Sequence, residues 1–296
     1  MKLVVASGKG GTGKTTVAVN LMLTVASLPA QDRPAELIFL DCDVEEPNAH
    51  LFLNPELTDE TTVGLRMPQV DVARCTGCGR CAEVCAFHAI AVINKKVLIF
   101  PELCHGCGSC TYNCPEGAIH EVLRPTGTIS WGTVTTDGAT VRFGQGLLNV
   151  SEAMATPIIR TLKQQLTATD PAAALEILDA PPGNACPVVE TLRGADFALL
   201  VTEPTPFGLH DLRVAVDVAR KELGLPVGVV INRDGVGDEG VTRFCAEAGV
   251  PILLRIPQDR RVATAYAEGI PMVTAFPAYR EAFRALYARL REEVSA

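Results

Sequence analysis

The sequence lacks any long hydrophobic run. No segment approaches the ~18 consecutive apolar residues that a membrane-spanning helix requires, although 48% of the 296 residues are hydrophobic. Near the N-terminus, only LVVA separates Lys2 from the glycine-rich stretch that follows. Such a run is too short for the apolar segment of a secretory signal. We therefore expect a sizeable buried core, no stable membrane insertion and a cytoplasmic location.

Positive charge is also scarce. Lysine and arginine total 26, against 34 aspartates and glutamates, which gives a formal net charge of −8. This balance argues against a nucleic-acid coat and against a protein that binds anionic membranes. We interpret the charge as that of an ordinary soluble protein and expect no nucleic-acid partner.

Continuous apolar runs alternate with helical patterns along most of the chain. Strands that are apolar at every position, rather than at alternate positions, are typical of a parallel sheet buried on both faces. The pattern therefore predicts an α/β fold with a doubly wound, mostly parallel sheet. Predicted strands lie at 3–7, 36–43, 175–181, 197–204, 227–233 and 251–257, and predicted helices at 15–28, 153–168, 208–223, 240–248, 260–268 and 278–294.

Cysteine-rich sequence interrupts this pattern between about 64 and 145. The chain has eleven cysteines, and in a cytoplasmic protein they suggest metal binding rather than disulfides. Eight of them form two runs, CTGCGRCAEVC at 75–85 and CHGCGSCTYNC at 104–114, offset by 29 residues. Residues 127–143 then alternate around Asp137-Gly138, which predicts a β-hairpin. We divide the chain into a larger domain, 1–63 with 126–296, and a small α+β domain inserted at 64–125.

Residues 8–15, GKGGTGKT, fit the phosphate-binding pattern G-x-x-x-x-G-K-[ST]. They follow a predicted strand and open a predicted helix, as this motif requires. Glycines let backbone N–H groups turn onto phosphate oxygens, and the helix N-terminus adds the positive end of its dipole. The motif predicts that Lys14 reaches the β- and γ-phosphates and that the Thr15 hydroxyl binds Mg²⁺. The expected nucleotide-binding positions here are Gly8, Gly10, Gly11, Thr12, Gly13, Lys14, Thr15 and Thr16.

The loop carries an earlier lysine, Lys9, which a plain phosphate-binding loop does not need. KGGTGKT resembles the deviant loop of the MinD/ParA/nitrogenase iron-protein class of ATPases. This resemblance implies an ATP-sandwich homodimer. In such a dimer Lys9 touches the nucleotide of the partner subunit and stabilises charge on the transferred phosphoryl group, as an arginine finger does. The alternative is a solvated loop lysine.

Further positions match the same class, over roughly 1–60 and 145–296. The resemblance implies that Asp43 orients or deprotonates the attacking water and that Asp41 supports the metal site. It implies that Asp179 holds Mg²⁺ through water and that the N–H group of Gly183 senses the γ-phosphate. A single aspartate at a strand end is often only a helix cap, so the argument rests on the ordered set. Around the adenine, the resemblance places Asn232, Arg233, Pro257, Gln258 and Asp259.

The spacing C-x₂-C-x₂-C-x₃-C is that of bacterial ferredoxins. In those proteins the fourth cysteine of each run binds the other cluster, so the resemblance implies two 4Fe-4S clusters with crossed ligand sets. Pro115 follows Cys114 as in ferredoxins, whereas Ala86 replaces the proline after Cys85. Zinc is the rival metal, because C-x₂-C pairs also form tetrahedral zinc sites. One implied set is Cys75, Cys78, Cys81 and Cys114; the other is Cys104, Cys107, Cys110 and Cys85.

Three cysteines lie outside the two runs. We expect Cys42 and Cys245 to be small buried hydrophobes. Cys186 lies seven residues after Asp179, where nitrogenase iron proteins hold a cluster that bridges the dimer. Such a site needs a second cysteine, and none lies between 125 and 178.

These features together predict a Mg-dependent ATPase with two 4Fe-4S clusters that couples nucleotide state to electron transfer or redox sensing. The expected partner is a redox protein or a cluster acceptor. One alternative is a cluster carrier of the Mrp type, although its C-P-x-C pair is missing after Cys114. Another is a division or partition regulator with structural clusters. Membrane-binding regulators carry a basic amphipathic C-terminal helix, whereas the mixed polar face at 283–294 predicts a helix docked on the core.

Overall fold

The computed structural model describes residues 1–295. The strands are β1 (Lys2–Ala6), β2 (Glu36–Asp41), β3 (Glu56–Val70), β4 (Ile90–Ile93), β5 (Lys96–Ile99), β6 (Ile119–Thr136), β7 (Ala139–Leu148), β8 (Ala174–Asp179), β9 (Phe197–Thr202), β10 (Val227–Asp234) and β11 (Ile252–Pro257). The α-helices are α1 (Lys14–Ala26), α2 (His50–Leu53), α3 (Arg80–Glu83), α4 (Ser109–Tyr112), α5 (Thr156–Gln165), α6 (Cys186–Leu192), α7 (Pro206–Asp217), α8 (Gly240–Glu247), α9 (Arg260–Ala267), α10 (Met272–Ala275) and α11 (Pro277–Ser295).

One large sheet organises the chain, with strand order β11-β10-β9-β1-β8-β2-β7-β6-β3. Neighbours from β11 to β7 are parallel, and β6 and β3 continue the sheet as antiparallel strands. Every residue of β8 and β9 is buried, because helices cover both faces at the centre of the sheet. The predicted α/β fold with a mostly parallel sheet is confirmed.

The two faces of the sheet support separate apolar cores. One core packs β1, β2 and β8 against α1 and α11, and the other packs the opposite faces of these strands against α5 and α7. Phe283, Leu286 and Leu290 of α11 are fully buried in the first core, so the predicted docking of the C-terminal helix is confirmed. Among residues 1–295, no helix has both the length and the apolarity that a bilayer crossing demands.

A long antiparallel ribbon extends from the edge of the sheet. The predicted hairpin forms between β6 and β7, with Asp137 and Gly138 in the left-handed region at its turn. Strand β6 begins earlier than the hairpin pattern suggests, and β3 pairs with it from Glu56–Thr133 to Val70–Ile119. Strand β3 was not predicted, because its first seven residues are exposed and carry no apolar run.

The strand pairing of the ribbon is irregular where the predicted domain boundaries lie. The register shifts between Val63 and Gly64, so that these residues pair with Gly127 and Pro125 and leave Thr126 as the extra residue of a bulge. A Cβ on Gly64 would lie 2.3 Å from the carbonyl oxygen of Arg124, so only glycine fits where the two strands approach each other here. The boundaries at 63/64 and 125/126 thus fall within two continuous strands, at their irregular point.

The cysteine segment at the far end of the ribbon folds as two similar halves. Helices α3 and α4 occupy equivalent positions 29 residues apart, and β4 is equivalent to the start of β6. Strand β5 is likewise equivalent to the end of β3, since the pair Ile90–Ile99 matches the pair Ile119–Val70. A small core joins the halves through Cys81, Cys110, Ile90 and Ile119. The internal repeat of the sequence is therefore an internal repeat of the structure.

Candidate nucleotide-binding and cysteine-lined sites

The glycine-rich loop joins β1 to α1 at the carboxyl edge of the sheet. Gly11 and Gly13 have φ of 76° and 95°, a left-handed conformation that glycine adopts without strain. A Cβ on Gly13 would also lie 2.4 Å from Asn232 Nδ2. Gly8 packs against α7, where a Cβ would lie 2.6 Å from the carbonyl oxygen of Asp211. Backbone conformation and close packing therefore both fix these glycines.

The first turn of α1 offers free donors to an anion. Gly13 occupies the N-cap position, and no side chain among the described residues caps this end or places an acidic group in its first turn. The first N–H groups of a helix lack intrahelical partners, and the dipole is positive there. Lys14 and Thr15 are buried at the same end. The arrangement suits a phosphate group, and it agrees with the predicted role of the loop.

Asp179, at the end of β8, is a fully buried carboxylate without a hydrogen-bond partner. Neither oxygen has a bond of standard geometry within residues 1–295. Burial raises the pKa of Asp179 well above its usual range, and the negative Asp41 raises it further, while Lys14 and the nearby Thr15 hydroxyl oppose the shift. An unpaired buried carboxylate is unfavourable. Carboxylate and hydroxyl oxygens are ligands that Mg²⁺ accepts, so Thr15 and Asp179 fit the predicted metal site.

Asp41 lies beside Asp179 on the same face of the sheet. The two residues pair in register across β2 and β8, and Phe39 and Ile177, two positions earlier, pack under α1. The Asp41 carboxylate accepts hydrogen bonds from the N–H groups of Asp43 at 3.1 Å, Asn48 at 2.9 Å and Ala49 at 2.9 Å. Burial nevertheless raises its pKa to about 7. Asp41 thus shapes the segment that carries Asp43.

Asp43 is only partly buried at the opening of this site. Burial raises its pKa to about 6, although the Lys14 ammonium group lowers it. A carboxyl whose pKa lies near neutral pH is suited to accept a proton. The role of Asp43 beside the attacking water stays a prediction.

Two other predicted nucleotide contacts are engaged with the loop itself. Asn232 Nδ2 donates to the carbonyl oxygen of Thr12 at 2.8 Å, and its Oδ1 accepts from the N–H of Arg233 at 2.9 Å. One donor hydrogen and one lone pair of the amide are left over from these two bonds, so the predicted contact of Asn232 with adenine stays a prediction. The N–H of Gly183 donates to the carbonyl oxygen of Ser7 at 3.1 Å. To contact a γ-phosphate, Gly183 must first give up this bond.

The residues expected near the base have defined structural roles. Pro257 ends β11, and the N–H of Gln258 donates to the carbonyl oxygen of Asp234 at 3.0 Å. Asp259 caps α9 through the N–H of Arg261 at 2.9 Å and pairs with the Arg261 guanidinium. These hydrogen bonds lower the pKa of Asp259. The hydrogen bonds of Asp259 in this structure are therefore those of a helix cap.

The early loop lysine contacts its own chain. Lys9 Nζ lies 3.2 Å from Glu203 Oε2, and the carbonyl oxygen of Lys9 accepts from Ser7 Oγ at 2.6 Å. Glu203 also pairs with Arg233. Sequence reasoning missed Glu203, because a single acid after a strand carries no distinguishing pattern and its partner lies 194 residues away.

The eight ferredoxin-type cysteines line two small cavities. Each cavity is lined by three cysteines of one run and the last cysteine of the other. The first cavity has Cys75, Cys78, Cys81 and Cys114, and the second has Cys104, Cys107, Cys110 and Cys85. The structure therefore brings together the crossed sets that the ferredoxin resemblance implies.

The donor chemistry of both cavities fits an iron–sulfur cluster. Sulfur is the ligand atom of such clusters, and N–H donors stabilise it. The N–H of Ala89 donates to Cys85 Sγ at 3.2 Å, and the equivalent N–H of Ala118 donates to Cys114 Sγ at 3.3 Å. Within the described residues, no group of histidine, cysteine or acidic side chains converges closely enough for one metal ion.

The rims of the two cavities differ at equivalent positions. Thr76 Oγ1 lies 3.5 Å from Glu116 Oε1 beside the first cavity. The equivalent pair beside the second cavity is His105 and Phe87, whose rings stack with centroids 3.7 Å apart. One rim is therefore polar and the other aromatic.

The remaining cysteines divide by exposure. Cys42 and Cys245 are buried, as expected. Burial raises the pKa of both thiols, that of Cys245 to about 11, so both stay protonated near neutral pH. Cys186 is exposed at the first residue of α6.

The parallel sheet with a glycine-rich loop at the start of α1 defines a P-loop nucleotide-binding protein. The sequence profile of the family described as "CobQ/CobB/MinD/ParA nucleotide binding domain" matches residues 3–272. The chain belongs to this family.

Similar proteins agree with this assignment. The uncharacterised protein MJ0578 of Methanocaldococcus jannaschii is 30% identical over 292 residues, which cover 99% of this chain and 97% of the relative. A protein of the same organism named "Iron-sulfur cluster carrier protein" is 25% identical, with 99% of this chain and 84% of the relative covered. The septum site-determining protein MinD of Pyrococcus horikoshii, solved with Mg-ADP, shares the fold with a TM-score of 0.56 at 19% identity; the match covers 97% of this chain and 94% of that one.

Proposed function

We propose that the protein is a Mg-dependent ATPase that carries two 4Fe-4S clusters and couples nucleotide state to their redox state. The observation that carries the nucleotide part is the buried, unpartnered carboxylate of Asp179 beside Thr15 at an uncapped helix N-terminus. A bound cation would relieve this unfavourable arrangement. Asn232, Pro257 and Gln258 flank the base in this proposal, and Asp259 caps the helix that follows.

The chain's own residues account for the steps of hydrolysis. The loop N–H groups and Lys14 hold the phosphates and neutralise their charge. Asp43 orients a water and accepts its proton as that water attacks the γ-phosphorus, while the bond to the β-phosphate oxygen breaks. Bound Mg²⁺ supplies further neutralisation of phosphate charge. Lys9 of the second subunit stabilises the transferred group in an ATP-sandwich homodimer.

The cysteine segment, residues 64–125, would act as the redox domain. The crossed lining of two cavities and the N–H donors onto Cys85 and Cys114 support two clusters there. Such clusters accept and donate single electrons. Cys78 and Cys107 are the exposed members of their sets, which gives each cluster an edge towards a redox partner.

The experiment that tests this function uses protein purified without oxygen. We expect Mg-dependent ATP hydrolysis, an iron–sulfur absorption band, and loss of hydrolysis in Lys14→Ala without loss of the band. Hydrolysis that is retained in Lys14→Ala would exclude the loop as the catalytic site. A protein that binds zinc instead of iron would exclude the redox role.

A cluster carrier is the second candidate. Two similar proteins, from Methanocaldococcus jannaschii and a Synechocystis, are named iron–sulfur cluster carrier proteins, and the exposure of Cys78 and Cys107 suits transfer. Incubation with an apo-ferredoxin separates the candidates. Net loss of iron to the acceptor favours the carrier, and retained iron favours the redox role. A spatial regulator fits less well, because the apolar face of α11 is buried in the core.

A further inference from the structure

Glu203, directly after β9, joins two basic side chains from distant parts of the chain. Its Oε2 lies 3.2 Å from Lys9 Nζ, and its Oε1 accepts from Arg233 Nη1. The Glu203 side chain is 11% exposed, whereas those of Lys9 and Arg233 are 33% and 51% exposed. A mostly buried carboxylate thus anchors two more accessible cations.

Backbone contacts on both sides fix the position of this anchor. The carbonyl oxygen of Glu203 accepts from the N–H of Thr205 at 2.8 Å, and the Thr205 side chain caps α7. A Cβ on Gly208 would lie 2.2 Å from that same carbonyl oxygen, so α7 packs tightly on the turn. On the other side, Arg233 adopts a left-handed φ of 54°, which is uncommon for a residue with a side chain.

We propose that Glu203 is a positioning residue that holds the Lys9 ammonium group inside its own subunit in the nucleotide-free chain. The inference rests on the ATP-sandwich dimer proposed above. For Lys9 to reach the nucleotide of a second copy, its ion pair with Glu203 must break. The pair therefore opposes closure, and a nucleotide phosphate has to compete with Glu203 for the lysine.

The size of the effect follows from exposure and symmetry. An ion pair with a partly exposed partner favours its closed form by about threefold, within the range measured for accessible pairs. A symmetric dimer breaks two pairs, one in each subunit, so the two factors multiply. Removing the Glu203 charge should therefore tighten the ATP-dependent dimer by about tenfold.

The first test measures the ion pair without any dimer. Nucleotide-free protein with its clusters is labelled with an amine-reactive reagent, and the rate at Lys9 is followed by mass spectrometry. We expect Glu203→Gln to label several-fold faster than the parent protein. The matched control is Arg233→Ala, which removes the other cation and leaves the Lys9 contact, so its rate should not rise. Equal labelling of Glu203→Gln and the parent protein overturns the proposal.

The second test measures formation of the ATP-dependent dimer by sedimentation with Mg-ATP. All proteins in this test also carry Asp43→Asn, which slows hydrolysis. We expect a dimer Kd about tenfold lower for Glu203→Gln, with no such change when Lys9→Ala is also present. An unchanged or higher Kd, or an effect that persists without Lys9, overturns the opposing role of Glu203. If every variant stays monomeric, the dimer and this opposing role both fail, while the labelling rate still decides the ion pair.

Discussion

Replacing Asp179 by asparagine should stabilise the nucleotide-free protein and weaken its response to Mg-nucleotide. In the folded chain burial raises the pKa of Asp179, and its oxygens have no partner within residues 1–295. In the unfolded chain this carboxyl titrates near pH 3.9. The native state therefore binds a proton more tightly than the unfolded state, and the free energy of unfolding falls as pH rises through this window.

The magnitude follows from this linkage. One carboxyl contributes at most about 1.4 kcal/mol per pH unit. Lys14 and Thr15 oppose the shift, and a stabilisation of about 1–3 kcal/mol is expected in Asp179→Asn at pH 7. For a chain of this size, each kcal/mol raises Tm by about 2–4 °C.

Thermal unfolding by circular dichroism, under anaerobic conditions at pH 5, 6 and 7, measures this effect. The Tm advantage of Asp179→Asn should grow with pH in the absence of Mg²⁺. With Mg-nucleotide at about 100 times Kd, the parent protein gains about 2.7 kcal/mol of stability, and the variant gains less. The difference in Tm between the two proteins should therefore become smaller or change sign. A variant that is less stable without Mg²⁺, or that gains as much from Mg-nucleotide, would refute the reasoning.

Three further predictions test the two sites. Burial raises the pKa of Asp43 to about 6 and that of Asp41 to about 7, so Mg-nucleotide binding should release protons at pH 6 and fewer at pH 8. Calorimetry in two buffers of different ionisation enthalpy measures this release. Binding heats at pH 6 that are equal in the two buffers would contradict the prediction. Cys114→Ser should alter the EPR signal of one cluster and Cys85→Ser that of the other, and identical spectra would argue against crossed ligation. Cys186→Ala should leave iron per chain unchanged, since the exposed thiol lies outside both cavities; a loss of iron would assign it a ligand role.

The central fold was predictable because its strands are buried on both faces. Strands such as β8 and β9 are buried at every position and mostly apolar in sequence, which leaves a strong local signal. The exposed half of β3 pairs at the edge of the sheet and carries no such signal. The four-residue helices α3 and α4 are too short for helical periodicity.

The site was predictable where chemistry repeats at fixed spacing. The glycine-rich loop and the two cysteine runs are recognisable from short stretches of sequence. The cavities group the cysteines as the ferredoxin resemblance implies. The ion pair of Lys9 with Glu203 and the bond of Asn232 to Thr12 join residues about 200 positions apart. Such pairs depend on strand order and loop conformation, which a single sequence does not specify.

The most direct test of the central claim is an anaerobic redox titration followed by EPR, with and without Mg-ATP. The account predicts about eight iron atoms per chain in two 4Fe-4S clusters, and a reduction potential that shifts when Mg-ATP binds. Zinc in place of iron, or potentials that Mg-ATP leaves unchanged, would contradict it.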